Sequence, residues 1–269
     1  VATSRTASHR TSSLPTMIAE ITHHGRAFRV DLSNPIDLSF PLHDGEHQLR
    51  AWWVDPVRME PVQADGRTYA VTAGAPVNFR TVSFNPHGHG THTESVGHIT
   101  PEVHPVGGQL KRFFFTAQLV SLRPEERRAP DGKVDHVITL EQLRNVVNER
   151  PPEALLIRTL PQRDAAARDW SGSNPPYLQS PACAWLRSIG VKHLLLDLPS
   201  VDREEDGGVL AAHHAFWDYP NTVDLERTIT ELLHIPAEVR DGEYLLELQL
   251  PHLMNDAAPS RPVLYALLP

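Results

Sequence analysis

One cysteine, Cys183, stands in a chain of 269 residues. That excludes an intrachain disulfide and fits a reducing compartment such as the cytoplasm. Cys183 lies between Ala182 and Ala184 in a helix-like stretch with Trp185 and Leu186, so a small buried core residue is expected there rather than a nucleophile. No apolar run has the length needed to cross a bilayer. Leu194-Leu195-Leu196 and Phe113-Phe114-Phe115 are short and read as buried strands. Basic charge is not in excess: the formal net charge is -8, which argues against nucleic acid as a partner, because binding phosphates needs a basic surface. The short basic run Arg123-Pro124-Glu125-Glu126-Arg127-Arg128 is mixed with acids and reads as a solvated loop. Residues 1–16 hold no apolar core of a secretory signal. Rich in Ser, Thr, Ala and Arg, they are expected to be a disordered leader, with the folded domain spanning 17–269. Neither an internal repeat nor a domain linker interrupts that span.

What the chain does have is punctuation and histidine, with 24 prolines and 16 histidines. Many prolines imply many fixed turns and short elements. Ala27–Leu32 reads as a strand stopped by Ser33-Asn34-Pro35, and Asp65-Gly66 marks a hairpin within 54–81. Thr139-Leu140-Glu141-Gln142 has the form of a capping box, opening a helix whose apolar face is Leu140, Leu143, Val146 and Val147 and which Pro151-Pro152 ends. A second helix is expected from Ser180 as cap and Pro181 in the first turn, with Gly190 closing it. Phe113–Leu122, Ala154–Arg158, His193–Leu198, Thr228–Ile235, Tyr244–Leu250 and Val263–Leu267 read as strands, with a turn at Asp241-Gly242. Strand, helix and strand in succession imply a crossover and some parallel pairing. A single α/β domain rich in strands follows.

The densest chemistry lies in His87-Gly88-His89-Gly90-Thr91-His92-Thr93-Glu94-Ser95-Val96-Gly97-His98. One histidine alone is more often a surface or satisfied core residue than a ligand. Four of them with a carboxylate and two nearby glycines suggest a divalent metal, since imidazole nitrogen and carboxylate oxygen are its usual ligands. The plainer reading is a solvated loop that binds metal adventitiously. His92 and Glu94 are two apart, so on an extended chain they share a face. Gly88 and Gly90 allow a turn tight enough to bring His87 or His89 to the same point, and the Thr91 hydroxyl can fix that turn. His98 is placed to act as acid or base. Later come His213-His214, followed by aromatics, and Glu231 among apolar residues. A buried carboxylate is costly unless it is paired or metal-bound.

These segments resemble the cyclase family of metal-dependent hydrolases, which includes bacterial kynurenine formamidases and isatin hydrolases. The family motif His-x-Gly-Thr-His-x-Asp-x-Pro-x-His falls on Gly90-Thr91-His92-Thr93-Glu94 and His98. Asp31-Leu32-Ser33-Asn34-Pro35, Asp197-Leu198-Pro199-Ser200-Val201-Asp202, His213-His214 and Thr230-Glu231-Leu232 also match. The chain departs from the motif at Glu94, in place of Asp; at Val96, in place of Pro; and at Gly88, in place of the first His. His87 then takes that role, held by Pro86, with His89 as the alternative. The resemblance implies a single β-rich domain of the swivelling β/β/α type, with a mixed sheet and few helices, assembled as a homodimer or larger. It implies His87, His92 and Glu94 as ligands of one ion, and His213 and Glu231 at further metal positions, with His214 competing with His213. Zinc or manganese, one ion or two, would be held, and His98 matches the catalytic histidine. The implied reaction is hydrolysis of an amide carbon–nitrogen bond of a small molecule, most of all an arylformamide such as N-formylkynurenine. A metal ion lowers the pKa of a water it binds towards neutrality, and His98 would carry a proton to the leaving nitrogen. Trp52, Trp53, Phe84 and Trp217 are the candidates for an aromatic wall around the substrate ring, the adjacent tryptophans first, since two neighbours on an extended segment cannot both face one core. Two other readings stand beside this one: opening of a cyclic amide or lactone, and a non-catalytic protein that binds a metal or a small ligand.

Overall fold

A computed structural model describes residues 16–129, 132–162, 166 and 168–269. The expected leader lies outside the described residues except for Thr16. In chain order the strands of the main sheet are β1 (Ile18–His23), β2 (Arg26–Asp31), β3 (Ile36–Asp37), β4 (His92–Glu94), β5 (Phe114–Leu122) and β6 (Ala154–Thr159). They continue with β7 (His193–Leu196), β8 (Thr228–Glu231), β9 (Gly242–Glu247), β10 (Ala257–Pro259) and β11 (Val263–Leu268). The helices are α1 (Val106–Gln109), α2 (Leu140–Val146), α3 (Ser180–Ser188) and α4 (Ala211–Trp217). Sheet order is β1-β2-β11-β9-β5-β6-β7-β8-β4-β10, with β3 beside β11. Strands β5 to β8 pair in parallel and the flanking pairs are antiparallel, so the sheet is mixed as expected. No helix among the described residues is long and apolar enough to cross a membrane.

The unbroken apolar runs of β6 and β7 have a physical cause, since a parallel sheet covered on both faces has no polar face to present. Leu155, Ile157, Leu194 and Leu196 join one core cluster with Ala182, Cys183 and Leu186 of α3 and Phe216 of α4. The alternate residues Ala154, Leu156 and Leu195 pack on the other face against Leu119, Leu246 and Leu264. Cys183 is fully buried, and burial pushes its thiol up beyond the usual range.

Local sequence sets the helix ends. The capping box at α2 forms as read: the Thr139 hydroxyl accepts from Gln142 N and the Gln142 side chain accepts from Thr139 N. Helix α3 differs by one residue. Gln179 is the N-cap and Ser180 the first helical residue, while Pro181 still lies in the first turn and Gly190 follows the end at φ 96°. The Asp65-Gly66 hairpin joins Gln63–Ala64 to Arg67–Thr68. Several expectations are corrected. The run Arg123–Arg128, read as a solvated loop, forms an exposed strand over Glu125–Arg128 that pairs with Val134–Ile138. Of Phe113, Phe114 and Phe115, read as buried, only Phe115 is buried. The strand predicted over Thr228–Ile235 ends at Glu231, because Leu232 turns to φ 55° and leaves the sheet. Trp52 and Trp53 are not extended: both are left-handed, at φ 63° and 53°, and form a turn in place of the expected extended pair.

Candidate metal centre

Strand β4 lies between β8 and β10, in register His92 with Glu231 and Pro259, and Glu94 with Ile229 and Ala257. Side chains alternate across a strand, so His92, Glu94 and Glu231 share one face, and all three are buried. Thr93, on the other face, meets Thr230 hydroxyl to hydroxyl at 2.8 Å. The turn before β4 is pinned from two sides. Thr91 Oγ1 donates to Leu232 O at 2.6 Å and accepts from Phe40 N at 3.0 Å. The Asn85 side chain accepts from the backbone of His87 and Gly88. Gly90, at φ 80°, supplies the conformation that L-residues avoid. After β4 the chain enters a short 3-10 turn, Val96–His98, capped by Ser95. A Cβ on Gly97 would lie 2.6 Å from His104 N, so only glycine lets this turn pack that closely on the His104 backbone.

Three histidines converge on the two glutamates, each with its outer nitrogen fixed. His213, on α4, places Nδ1 2.6 Å from Asp202 Oδ2 and Nε2 3.0 Å from Glu94 Oε1. His87 places Nε2 2.8 Å from Asp256 Oδ2 and Nδ1 3.2 Å from Glu94 Oε2. His92 donates through Nδ1 to Gly90 O at 3.1 Å, and its Nε2 lies 3.5 Å from Glu231 Oε2. Acceptors on the outer nitrogens leave the inner lone pairs aimed at one small volume, the arrangement in which metal-bound imidazoles are held. His92 Nε2 and Glu94 Oε2 are buried there without a directed hydrogen bond. Ligand atoms of His87, His92 and Glu94 lie within 4.8 Å of one another, as do those of Glu94, His98 and His213. Glu231 Oε1 accepts from Val201 N at 3.1 Å and lies 3.9 Å from His213 Nε2.

The histidines and carboxylates of the cluster act strongly on one another. Burial works against the His87 imidazolium, but Asp256 and Glu94 outweigh it and take His87 up to about 10. His213 is likewise held well above the usual range, burial being overcome by Asp202 and Glu94. Glu94 stays well below the carboxylate range despite complete burial, because His98, His213 and His87 surround it. Burial and the Glu94 charge push Glu231 up. In the protein alone, protons on the histidines offset the buried Glu94 charge, the role a divalent ion with nitrogen and oxygen ligands would take. The donor set fits a divalent metal ion held by nitrogen and oxygen ligands.

His98 sits at the rim, its side chain 29% exposed, with Nε2 3.8 Å from Glu94 Oε2 and Nδ1 3.4 Å from Asp256 Oδ2. His89 is turned away: its Nδ1 accepts from Asn85 N and its Nε2 faces Asp55 O. His214 is also apart from the cluster, bonded to Tyr219 O and lying against the Tyr219 ring. Trp217 is wholly buried, stacked on His213 at 5.6 Å, with its indole N–H on Arg227 O. It backs His213 in the core and has no face for a ligand. Trp52 packs on the core, whereas Trp53 is 67% exposed and Phe84 half-buried. Ala51, just before the tryptophans, donates to Gly88 O, which sets this segment against the His87 turn.

Asp202 and Asp256 were not singled out by the sequence. Asp202 lies within the Asp197–Asp202 segment that carried the resemblance, so a signal existed. Asp256, 169 residues from His87, has none. Replacing Asp202 with Asn removes the anion that orients His213 while keeping its shape. Metal affinity is expected to fall by about 10- to 100-fold, measured by competition with a chromophoric chelator. An unchanged affinity would separate His213 from the metal.

The Cyclase family, described as "Putative cyclase", matches residues 30–203. The kynurenine formamidase of Bordetella avium strain 197N is 26% identical over 246 residues, covering 88% of this chain and 97% of that protein. Isatin hydrolase A from Labrenzia aggregata, solved with benzyl benzoate, superposes with a TM-score of 0.60 at 14% identity, over 87% of this chain and 93% of its own. A structure described as a potential metal-dependent hydrolase with cyclase activity superposes with a TM-score of 0.60 at 16% identity, over 88% of this chain and 99% of its own. At these identities the structural likenesses speak for the fold.

Proposed function

We propose that this chain, which belongs to the cyclase family, is a metal-dependent hydrolase that cleaves an amide carbon–nitrogen bond, with an arylformamide such as N-formylkynurenine as substrate. The observation that carries this reading is the convergence of His87, His92 and His213 on Glu94 and Glu231, with each outer imidazole nitrogen held by Asp256, Gly90 O or Asp202. The similarity to a kynurenine formamidase along 88% of the chain supports the choice of substrate.

His87, His92 and Glu94 would hold one ion, and His213 with Glu231 a further position. When bound, such an ion polarises a carbonyl and brings the pKa of a water near neutrality. The remaining work falls to the chain. His98 is near enough to the cluster to exchange a proton with a reacting group and exposed enough to exchange it with solvent. Asp256 Oδ2 lies on its Nδ1 side and favours the tautomer that leaves Nε2 free to accept a proton and deliver it to the leaving nitrogen. An aryl amine leaves more readily than an alkyl amine, which suits one such donor. Complete burial of Glu94 keeps bulk water from competing for its charge. Of the aromatic candidates for a substrate ring, Trp53 is exposed, and Trp52 and Phe84 are half-buried.

Zinc- or manganese-loaded protein is expected to release kynurenine from N-formylkynurenine faster than it opens isatin or a simple lactone, followed by absorbance. Opening of isatin alone would assign the site to cyclic amides. Turnover of neither by folded, metal-loaded protein would favour a binding protein without catalysis.

A further inference from the structure

β1 and β2 form one edge of the main sheet, the far edge from β4 and β10. His23 pairs with Arg26, so the turn between them has two residues, His24 and Gly25, at φ 48° and 73°. Two left-handed residues make the tight turn that matches strand twist, and histidine is among the few side chains that tolerate that region. The turn carries two adjacent imidazoles and meets Glu153, the residue before β6. His23 Nε2 lies 3.1 Å from Glu153 Oε2, and the His23 and His24 rings are 4.1 Å apart. One ligand atom from each of His23, His24 and Glu153 falls within 4.8 Å of the others. Among the described residues, His23 Nε2 is buried without a directed hydrogen bond.

Glu153 is held from behind. Its carbonyl accepts from Lys192 N at 2.8 Å and His193 N at 3.0 Å. Arg112 donates to Oε1 at 2.6 Å and Thr116 N to Oε2 at 3.1 Å. Burial works against the Glu153 charge, but Arg112 and Thr116 outweigh it and hold the carboxyl below its usual range. Arg150 donates to His24 O at 3.1 Å, and Arg26 is paired with Glu243. The two histidines and Glu153 line one cavity of about 220 Å³, which leaves room for water on the open side of an ion. A carboxylate fixed through its outer contacts, with an inner oxygen facing imidazole nitrogen, is how metal ligands are held.

We propose that His23, His24 and Glu153 form a further metal site, for a zinc-type ion with two imidazole nitrogens, one carboxylate oxygen and water as ligands. The ion clips the β1–β2 hairpin to the start of β6. His24 is exposed and His23 and Glu153 are partly so, so this ion is held more weakly than one in the buried centre and loads after it. None of the three residues takes part in the proposed hydrolysis, and the site stands independently of that reading. Zinc is the probe, titrated calorimetrically into the full metal-free chain as wild type, His23→Ala, His24→Ala and Glu153→Gln.

Wild type is expected to bind one weaker zinc ion per chain beyond any tighter binding. Each variant is expected to weaken that ion at least about tenfold, since losing an outer-shell partner alone costs that much, and to leave any tighter binding as in wild type. Once the tighter sites are filled, further zinc should raise the melting temperature of wild type and not of His23→Ala. The proposal is overturned if wild type shows no such ion or if His23→Ala or His24→Ala binds it as wild type does. It is also overturned if the ion survives Glu153→Gln undiminished, a result that means adventitious uptake by two adjacent surface histidines. Should Glu153→Gln fail to fold, Glu153→Asp, which keeps the charge and retracts the oxygens, decides by the same tenfold.

Discussion

Replacing Glu94 with glutamine is expected to lower hydrolytic turnover by about 10³-fold or more and to abolish stoichiometric metal binding. Glutamine keeps the size of the side chain and removes its charge, so the effect reports electrostatics rather than packing. Glu94 is fully buried, within 3.0 Å of His213 Nε2, 3.2 Å of His87 Nδ1 and 3.8 Å of His98 Nε2. Without it, Glu231 is left as the one glutamate among the proposed ligands, and a divalent ion would be buried with too little negative charge around it. Losing the activation a metal supplies is worth several kcal/mol, and each 1.36 kcal/mol is tenfold in rate. The same substitution has a pH signature in metal-free protein. Glu94 is held below its ordinary pKa of 4.5, so its contribution to stability is present above that pKa and is lost as the pH falls through the lower, folded value. Metal-free Glu94→Gln should therefore melt below metal-free wild type at pH 7, and the gap should close in acid. Full metal content with turnover within about tenfold of wild type would remove Glu94 from the centre.

His98→Ala is expected to cut kcat by about 10²- to 10⁴-fold while metal content stays at the wild-type value. The contrast with Glu94 is the point of the experiment. His98 is at the rim and its Nδ1 faces Asp256, so its removal leaves His87, His92, His213 and both glutamates in place. The competing role is ligation, since the ligand atoms of His98, Glu94 and His213 lie within 4.8 Å of one another. Metal analysis of the same sample separates the two. Loss of metal with loss of rate would make His98 a ligand, and an unchanged rate would end its part in the chemistry.

Local physics made much of this legible. The Thr139–Gln142 capping box needs only four residues and formed as read. The run His193–Leu198 predicts a buried strand, and β7 is one over its first four residues, His193–Leu196. His92 and Glu94, two apart, share a face on any extended backbone, and Gly90 carries its own turn. What was not legible depends on contacts between distant segments. Asp256 is brought to His87 and His98 by the docking of β10 on β4, and no local pattern announces that pairing. The choice between His213 and His214 depends on the start of α4, where Leu210 is left-handed at φ 47° and offers no side-chain cap. The Trp52-Trp53 turn bends at two non-glycine residues of positive φ, a conformation that sequence patterns do not anticipate.

The most direct measurement strips the protein with a chelator, reloads it with zinc or manganese in known amounts, and follows metal bound per chain together with hydrolysis of N-formylkynurenine. A metal centre at Glu94 predicts that the stripped protein stays folded and inactive, and that activity returns in proportion to bound metal, saturating at one or two ions per chain. Undiminished hydrolysis by metal-free protein, or full metal occupancy with no hydrolysis of any amide or lactone, would contradict the account.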